Sequence, residues 1–336
     1  MTSAPAALSV ENLCVEFRTR SGIVRALDKV SFSVAKGETV ALVGESGSGK
    51  SVTAYAVMGI LDPAGRVTGG RAMLGGLDLL SANQSQLAKV RGRKMAMIFQ
   101  SPRTALNPIR QVGRQIADVL IRHGDVTRKA APAAAIEMLR AVGITDPVRR
   151  AKTYPFEMSG GMCQRVMIAI ALAAKPSLLI ADEPTTGLDV TTQAVIMDLI
   201  SDLAEKLGMA TIFITHDLAL AGQRAARIVV MHAGHVVEAA PTRELCANAR
   251  HPYTAELIAA TPDSATSLDA LASIPGSLPD LRRTDLPPCR YSERCPRKTE
   301  RCAQPLPVGP PDAAHTIACW NPLPARAIGA PKVNAA

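Results

Sequence analysis

A glycine-rich segment between an apolar strand and a helix constrains the fold of this chain more than any other feature. Thr39–Val43 before the segment predicts a buried strand, and Lys50–Ile60 after it predicts a helix. The segment fits the pattern G-x-x-x-x-G-K-[ST], with Gly44, Glu45, Ser46, Gly47, Ser48, Gly49, Lys50 and Ser51. Its backbone amides and the helix start are suited to surround phosphate groups. This phosphate loop (44–51) therefore predicts a nucleotide site in which Lys50 contacts the phosphates and Ser51 contacts Mg²⁺.

Strand and helix signals alternate along the rest of the first 260 residues. Two apolar stretches, 8–17 and 24–34, flank a polar turn and predict a hairpin, and short strands are expected within 66–80. Further buried strands are expected at Met95–Phe99, Leu178–Ala181, Thr211–Ile214 and Ile228–Met231. Helical periodicity covers about 105–175, and 192–207 predicts another helix. The alternation is typical of an α/β domain with a parallel sheet.

Two adjacent carboxylates end one of these buried strands. Asp182 and Glu183 follow Leu178–Ala181, and successive side chains of a strand point in opposite directions. The two acids can therefore have separate roles. We expect Asp182 to hold Mg²⁺ and Glu183 to accept a proton from the attacking water, or to polarise it.

Two other strands are followed by polar residues, and each of these residues is informative only together with the phosphate loop. Gln100 follows Met95–Phe99 and can offer its amide oxygen to Mg²⁺ or to the attacking water. His216 follows Thr211–Ile214 and can contact the γ-phosphate and hold the water in line. A histidine near a strand end is more often structural, so its predicted role depends on the phosphate loop.

A second corner suited to anions precedes an apolar helix. Ser159, Gly160 and Gly161 combine a hydroxyl, free amides and a helix start. An ordinary serine N-cap explains Ser159 but leaves a second anion corner unexplained. The corner indicates that ATP lies between two copies of such a domain.

Together these segments resemble the ATPase subunits of ABC transporters. The resemblance covers roughly 8–260, with Walker A at 44–51, the Q-loop at Gln100, the signature at 159–163, Walker B at 178–183, the D-loop at 187–189 and the H-loop at His216. It implies a RecA-like core with an antiparallel β subdomain and a helical subdomain at about 101–175. It also implies head-to-tail pairing of two ATPase domains, so that each ATP lies between one phosphate loop and the partner's signature.

Smaller motifs resemble the dipeptide/oligopeptide and nickel importer ATPases, the dipeptide-type subunit most of all. They include Phe99–Pro102, Ala105–Pro108 and His251–Thr254. The resemblance implies a cytoplasmic-face position on a bacterial inner membrane, a related heteromeric ATPase partner, two permease subunits and, indirectly, an extracytoplasmic binding protein. Taken by itself, His251 predicts only a surface histidine. An ATPase domain is expected at 8–250, a C-terminal extension at 251–322, and a disordered tail at 323–336.

The sequence departs from the family pattern in two places. Many ABC ATPases stack adenine on an aromatic residue before the hairpin turn, where this chain has Arg20 or Ser21, and Phe17 is a weak substitute. The signature has Met162 where Gln is common, which the peptide-importer group tolerates.

Four cysteines lie in the proline-rich C-terminal extension, at Cys289, Cys295, Cys302 and Cys319. Cytosolic chains seldom form disulfides, so the group suggests soft-metal ligation. The spacing leaves an iron–sulfur cluster, zinc and unligated thiols open. The family resemblance implies a [4Fe–4S] cluster, which would fold a segment poor in apolar residues. Cys14, Cys163 and Cys246 are expected to have no such role.

Charge and hydropathy bound the remaining alternatives. The net charge is +9, but the positive residues are scattered and have no aromatic interleaving, so we expect no nucleic-acid partner. No apolar run is long enough to span a membrane and no signal peptide is evident, which predicts a cytoplasmic chain. An exporter, a DNA-repair or ribosome-acting ABC ATPase, and a nucleotide sensor remain less favoured. The transported solute, whether peptide, nickel chelate or another small solute, is left open.

Overall fold

The computed structural model describes residues 6–261, 273–307, 309 and 314–325. Its strands are β1 (Ala6–Thr19), β2 (Gly22–Ala35), β3 (Thr39–Val43), β4 (Gly65–Leu74), β5 (Leu77–Asp78), β6 (Met95–Ile98), β7 (Leu178–Asp182), β8 (Ala210–Thr215), β9 (Arg227–His232), β10 (His235–Pro241) and β11 (Thr316–Ile317). Its α-helices are α1 (Lys50–Met58), α2 (Gln84–Val90), α3 (Pro102–Ala105), α4 (Val112–His123), α5 (Ala131–Ala141), α6 (Pro147–Arg150), α7 (Gly160–Leu172), α8 (Val190–Leu207), α9 (Leu218–Arg224), α10 (Thr242–Ala247) and α11 (Pro252–Ala259).

An antiparallel sheet is built around the predicted hairpin. Its strand order is β2-β1-β4-β5, and β1 pairs with both β2 and β4. The hairpin prediction is confirmed. The region 66–80 differs from expectation, because β4 is one ten-residue strand whose length follows that of its partner β1. Alternate apolar side chains of β1, including Leu8, Val10 and Val15, are fully buried.

A second sheet has the order β11-β10-β9-β3-β8-β7-β6. The strands from β9 to β6 are parallel, as predicted, but β10 and β11 add an antiparallel edge. The chain reverses between β9 and β10 at Ala233 and Gly234, whose φ angles are 46° and 84°. Two positive φ values suit a tight hairpin turn. Ala-Gly is not the usual Asn-Gly signal, which explains why the sequence did not reveal this hairpin.

Helices fill the predicted insert between β6 and β7. Ile116 of α4 and Leu139 of α5 are fully buried, and α7 packs against α3, α4, α5 and β6. Helix α7 is mostly buried along its length, which explains its long apolar sequence. Among the described residues, no helix has both the length and the apolar character needed to cross a membrane.

The C-terminal extension (251–322) joins the edge of the second sheet. Strand β11 pairs with β10, and the Leu323 amide donates to the Arg250 carbonyl at 2.8 Å. This short edge strand agrees with a proline-rich segment that excludes central strands. Of the tail predicted at 323–336, residues 326–336 lie outside the described residues.

Glu238 is the buried anchor of this junction, and its replacement by alanine is expected to destabilise the protein by about 2–4 kcal/mol. Its carboxylate is fully buried and accepts hydrogen bonds from the amides of Arg250 (2.8 Å) and His251 (3.0 Å) and from His315 Nε2 (2.8 Å). The variant leaves these donors unpaired. Urea unfolding measures the loss. Glu300→Ala, at an exposed acid, is the matched control, and an equal loss in both variants contradicts the assignment.

Candidate nucleotide site

Lys50 lies across the phosphate loop. Its Nζ donates to the carbonyl oxygens of Gly44 (2.7 Å) and Glu45 (2.9 Å), and only 5% of the residue is exposed. Burial lowers the pKa of Lys50, while the negative charges of Glu183, Asp182 and Glu45 oppose that shift. The side chain of Lys50 therefore lies beside the backbone amides that are expected to bind phosphate oxygens.

Ser51 and Asp182 are in direct contact. The Ser51 hydroxyl donates to Asp182 Oδ1 at 2.9 Å, and Asp182 is 1% exposed. The pKa of Asp182 is raised, chiefly by burial and also by the charge of Glu183, and hydrogen bonds from Ser51 and Tyr55 and the charge of Lys50 offset this only in part. These hard oxygen donors fit Mg²⁺, which favours one or two carboxylates beside substrate phosphates. Sequence reasoning missed Tyr55, although it lies four residues after Ser51 and thus on the same face of α1.

Glu183 collects the other predicted side chains. Gln100 Nε2 donates to Glu183 Oε2 at 2.7 Å, Thr186 Oγ1 donates to the same oxygen at 3.0 Å, and His216 Nδ1 lies 3.4 Å from Oε1. Burial, the largest influence, raises the pKa of Glu183, but bonds from Thr186 and His216 and the charge of Lys50 outweigh it and lower the pKa. Glu183 is therefore held as a carboxylate, the form that accepts a proton.

The backbone at Glu183 is strained in a way that fits a functional position. Its φ is 44°, although residues other than glycine seldom adopt this region. The Glu183 amide donates to the carbonyl of Ile214 on β8 at 3.0 Å, which holds the strained residue at the strand end. A cavity of about 200 Å³ borders Glu183, Thr186 and His216. Sequence reasoning did not identify Thr186, and no pattern in the chain singles it out.

The signature corner makes its contacts elsewhere. Ser159 is the N-cap of α7 and accepts from the Met162 amide at 3.3 Å. A Cβ placed on Gly161 would lie 3.4 Å from Thr192, in the first turn of α8. None of these contacts involves the phosphate loop of the same chain.

The candidate adenine-stacking residues make contacts within the protein. Phe17 belongs to the apolar cluster under the antiparallel sheet. Its ring lies so near Gly65 that a Cβ added to this glycine would be 2.7 Å away. The Ser21 hydroxyl accepts from Arg282 of the C-terminal extension at 3.1 Å.

The four cysteines of the C-terminal extension converge. All are free thiols, and every pair among them interacts electrostatically. Burial, with the other three thiols, raises the pKa of Cys289 to about 11. In the part of the chain that the structure describes, no three Cys, His, Asp or Glu side chains are arranged to hold a metal ion. The four thiols are thus close enough to influence one another electrostatically.

An aromatic cluster behind the phosphate loop contains two histidines. His232 lies edge-on to Tyr253 and Tyr291, with centroid distances of 4.6 and 5.1 Å, and His251 lies 5.9 Å from Tyr291. His251 is 1% exposed, so the expectation of a surface histidine was wrong. Its Nδ1 accepts from the Tyr253 amide at 3.1 Å as the N-cap of α11, and the distant Tyr291 ring packs beside it.

The two histidines predict a pH-dependent stability. Burial lowers the pKa of both His232 and His251 to about 3, from 6.5. The unfolded chain binds more protons between these values, so stability is expected to fall as pH drops below 6.5, by up to about 1.4 kcal/mol per pH unit per histidine. Unfolding between pH 7.5 and 5.5 measures the slope. His251→Asn retains a capping acceptor and should reduce the slope; an unchanged slope contradicts this origin.

Comparison with known proteins agrees with the geometry. The family described as "ABC transporter" matches residues 27–186, and "Oligopeptide/dipeptide transporter, C-terminal region" matches residues 237–302. A probable peptide ABC transporter ATP-binding protein of Sinorhizobium fredii is 46% identical over 94% of both chains. The dipeptide transport ATP-binding protein DppD of Escherichia coli is 46% identical over 88% of this chain and 90% of its own length.

Solved structures show the same architecture. The dimeric post-hydrolysis structure of the ATP-binding cassette MJ0796, bound to ADP and phosphate, aligns with a TM-score of 0.63 and 28% identity, over 70% of this chain and 99% of that one. With the relatives, this confirms the predicted α/β ABC ATPase fold. The chain belongs to the family of ABC transporter ATP-binding proteins that carry the oligopeptide/dipeptide transporter C-terminal region.

Proposed function

We propose that the chain is an ATP-hydrolysing subunit that powers import of di- and oligopeptides. The observation that carries the proposal is the set of side chains around Glu183, built on a phosphate loop, in a chain with a C-terminal region of the oligopeptide/dipeptide type. The relatives named for peptide or dipeptide transport support the same substrate class.

The residues of the site divide the chemistry among them. Lys50 and the loop amides bind the β- and γ-phosphates, and Ser51 and Asp182 would hold Mg²⁺, which would neutralise charge on the phosphates. Glu183 accepts the proton of the attacking water, and His216 positions that water toward the γ-phosphate. Gln100 and Thr186 orient Glu183 by donating to Oε2. In the loaded site, Gln100 would offer its amide oxygen to Mg²⁺ or to the attacking water.

A second ATPase subunit completes the site. Because the contacts of Ser159 and Gly161 lie within α7 and α8, their anion corner is available to the ATP of another subunit. We infer a related but non-identical partner, with two permease subunits and an extracytoplasmic binding protein, at the cytoplasmic face of a bacterial inner membrane.

The helical insert is the proposed contact with the permeases. Among the described residues, four of the seven large apolar side chains that are exposed lie between positions 109 and 156: Ile109, Ile121, Val148 and Phe156. Phe156 is 74% and Ile109 is 82% exposed. We propose that these side chains are the part of the insert that meets the permeases.

Uptake by a reconstituted transporter tests the proposal. The chain is purified with its permease and ATPase partner subunits and placed in vesicles with the cognate binding protein. Dipeptide uptake that requires ATP is expected, and Glu183→Gln should remove it. ATP-dependent uptake of a nickel chelate without peptide uptake would favour the alternative solute. ATPase activity stimulated by DNA or ribosomes instead would contradict the transport assignment.

We further propose that Cys289, Cys295, Cys302 and Cys319 hold a [4Fe–4S] cluster. Four free thiols that influence one another electrostatically support it, since four Cys thiolates are the usual ligands of such a cluster. The cluster would cross-link segments with little apolar content. Absorption near about 400 nm in anaerobically purified protein, with iron analysis, is the test. Zinc, or no metal, contradicts the cluster.

A further inference from the structure

The turn between the first two cysteines reaches the phosphate loop. In this cysteine turn (289–295), Arg294 makes two parallel bonds to the carboxylate of Glu45, Nη1 to Oε2 at 2.7 Å and Nη2 to Oε1 at 2.9 Å. Two further residues of the C-terminal extension touch the same loop: the Tyr253 hydroxyl accepts from the Glu45 amide at 3.0 Å, and Leu278 lies 3.3 Å from an ideal Cβ on Gly47.

Arg294 is held firmly in this position. Its side chain is 5% exposed, and its Nε donates to the Pro275 carbonyl at 2.8 Å. The guanidinium also lies over the Tyr291 ring, 5.7 Å from its centroid, and its Nη1 is 3.3 Å from His232 Nε2. The bidentate contact is thus preorganised by its surroundings and differs from a mobile surface ion pair.

The other end of the cysteine turn braces the loop indirectly. Arg290 Nη1 donates to the Ala233 carbonyl at 2.5 Å, in the turn between β9 and β10. The next residue, Gly234, donates its amide to the Ser48 carbonyl at 2.8 Å. Both arginines of the cysteine turn therefore support the phosphate loop. Of the two, only Arg294 forms an ion pair with a side chain of the loop.

The contact with Arg294 changes the electrostatics of the phosphate loop, because Glu45 carries a negative charge. A carboxylate at the second position of the phosphate loop repels a polyanion, and its field already acts on Lys50, where it opposes the lowering of the pKa by burial. The Glu45 side chain is 29% exposed, so solvent screens this charge only in part. The guanidinium of Arg294 neutralises the charge and fixes the loop at its start.

We propose that Arg294 is a positioning residue of the ATP site, which neutralises Glu45 and orients the phosphate loop for ATP. The proposal makes the cysteine turn a part of the nucleotide site, and it rests on the proposed binding of ATP by residues 44–51. Arg294 itself touches no reacting atom.

Charge-swap kinetics in the assembled transporter test this assignment. Arg294→Ala should raise the KM for ATP about tenfold and change kcat less than about twofold, because the unpaired Glu45 repels the phosphates in ground and transition states alike. Glu45→Gln, which removes the charge that Arg294 neutralises, is combined with Arg294→Ala in a double variant. The double variant should return KM to within about threefold of the wild type, since it removes the repulsive charge.

Arg301→Ala is the matched control. Arg301 also precedes a cysteine of the C-terminal extension, but it stacks on Trp320 at 4.4 Å. The inference is overturned if Arg301→Ala raises KM as much as Arg294→Ala, or if Glu45→Gln fails to rescue Arg294→Ala, because either result means general damage to the extension. An unchanged KM in Arg294→Ala overturns it as well. A wild-type complex that neither binds nor hydrolyses ATP contradicts the proposed function instead.

Discussion

Replacement of Glu183 by glutamine is expected to lower ATP turnover by at least about 100-fold while ATP binding persists. The carboxylate is held ionised by Thr186, His216 and Lys50, and glutamine has nearly the same shape but cannot accept the proton. Bonds from Gln100 and Thr186 to Oε2 can pass to the amide oxygen, so the site should remain assembled. Steady-state phosphate release and binding of a fluorescent ATP analogue separate the two effects.

Glu205→Gln, at an exposed acid on α8, is the control for this substitution. It removes one negative charge near the C-terminal end of α8 and should leave ATP turnover within about twofold of the wild-type rate. Normal turnover in Glu183→Gln excludes the role of general base. Loss of ATP binding in the same variant shows instead that Glu183 is needed to assemble the site.

Gly44→Ala is expected to destabilise the protein by about 3–5 kcal/mol and to remove ATP binding. A Cβ at this position would lie 2.1 Å from the carbonyl oxygen of Met231 and 2.9 Å from Ser48 Oγ. The carbonyl belongs to β9, beside β3 in the second sheet, so neither backbone can withdraw without breaking sheet pairing. Chemical unfolding and nucleotide binding measure the two losses.

Gly75→Ala separates the clash from the backbone conformation. Gly75 also has a positive φ, 55°, but a Cβ there meets nothing within 4 Å. This variant should cost about 1 kcal/mol and keep ATP binding. A loss of stability in Gly44→Ala no larger than that in Gly75→Ala contradicts the predicted clash with Met231.

The sequence predicted those parts of the site that depend on local pattern. A strand, a glycine-rich turn and a helix are contiguous, so 44–51 could be placed directly, and Asp182, Glu183, Gln100 and His216 each end a strand of one parallel sheet. Their meeting follows from the sheet, because the carboxyl ends of parallel strands share an edge. The structure brings Ser51 to Asp182, and Gln100 and His216 to Glu183, as that reasoning requires.

The parts that the sequence did not reveal depend on distant contacts. His251 has no local feature that marks burial; its environment is set by Glu238 and Tyr291, which lie elsewhere in the chain. Tyr55 becomes relevant only when α1 faces the end of β7. Likewise, Glu45 gains its partner from a segment whose irregular, proline-rich sequence carries no periodic signal.

The bond between Glu45 and Arg294 spans 249 positions of the chain, and this has a consequence for biosynthesis. At a translation rate of about 5–20 residues per second, the phosphate loop leaves the ribosome roughly 10–50 s before its arginine exists. During that interval the carboxylate of Glu45, in the phosphate loop of the nascent ATPase domain, has no guanidinium to neutralise it. ATP affinity should therefore mature only when the chain is nearly finished, which would delay nucleotide-driven pairing until the C-terminal segment is in place.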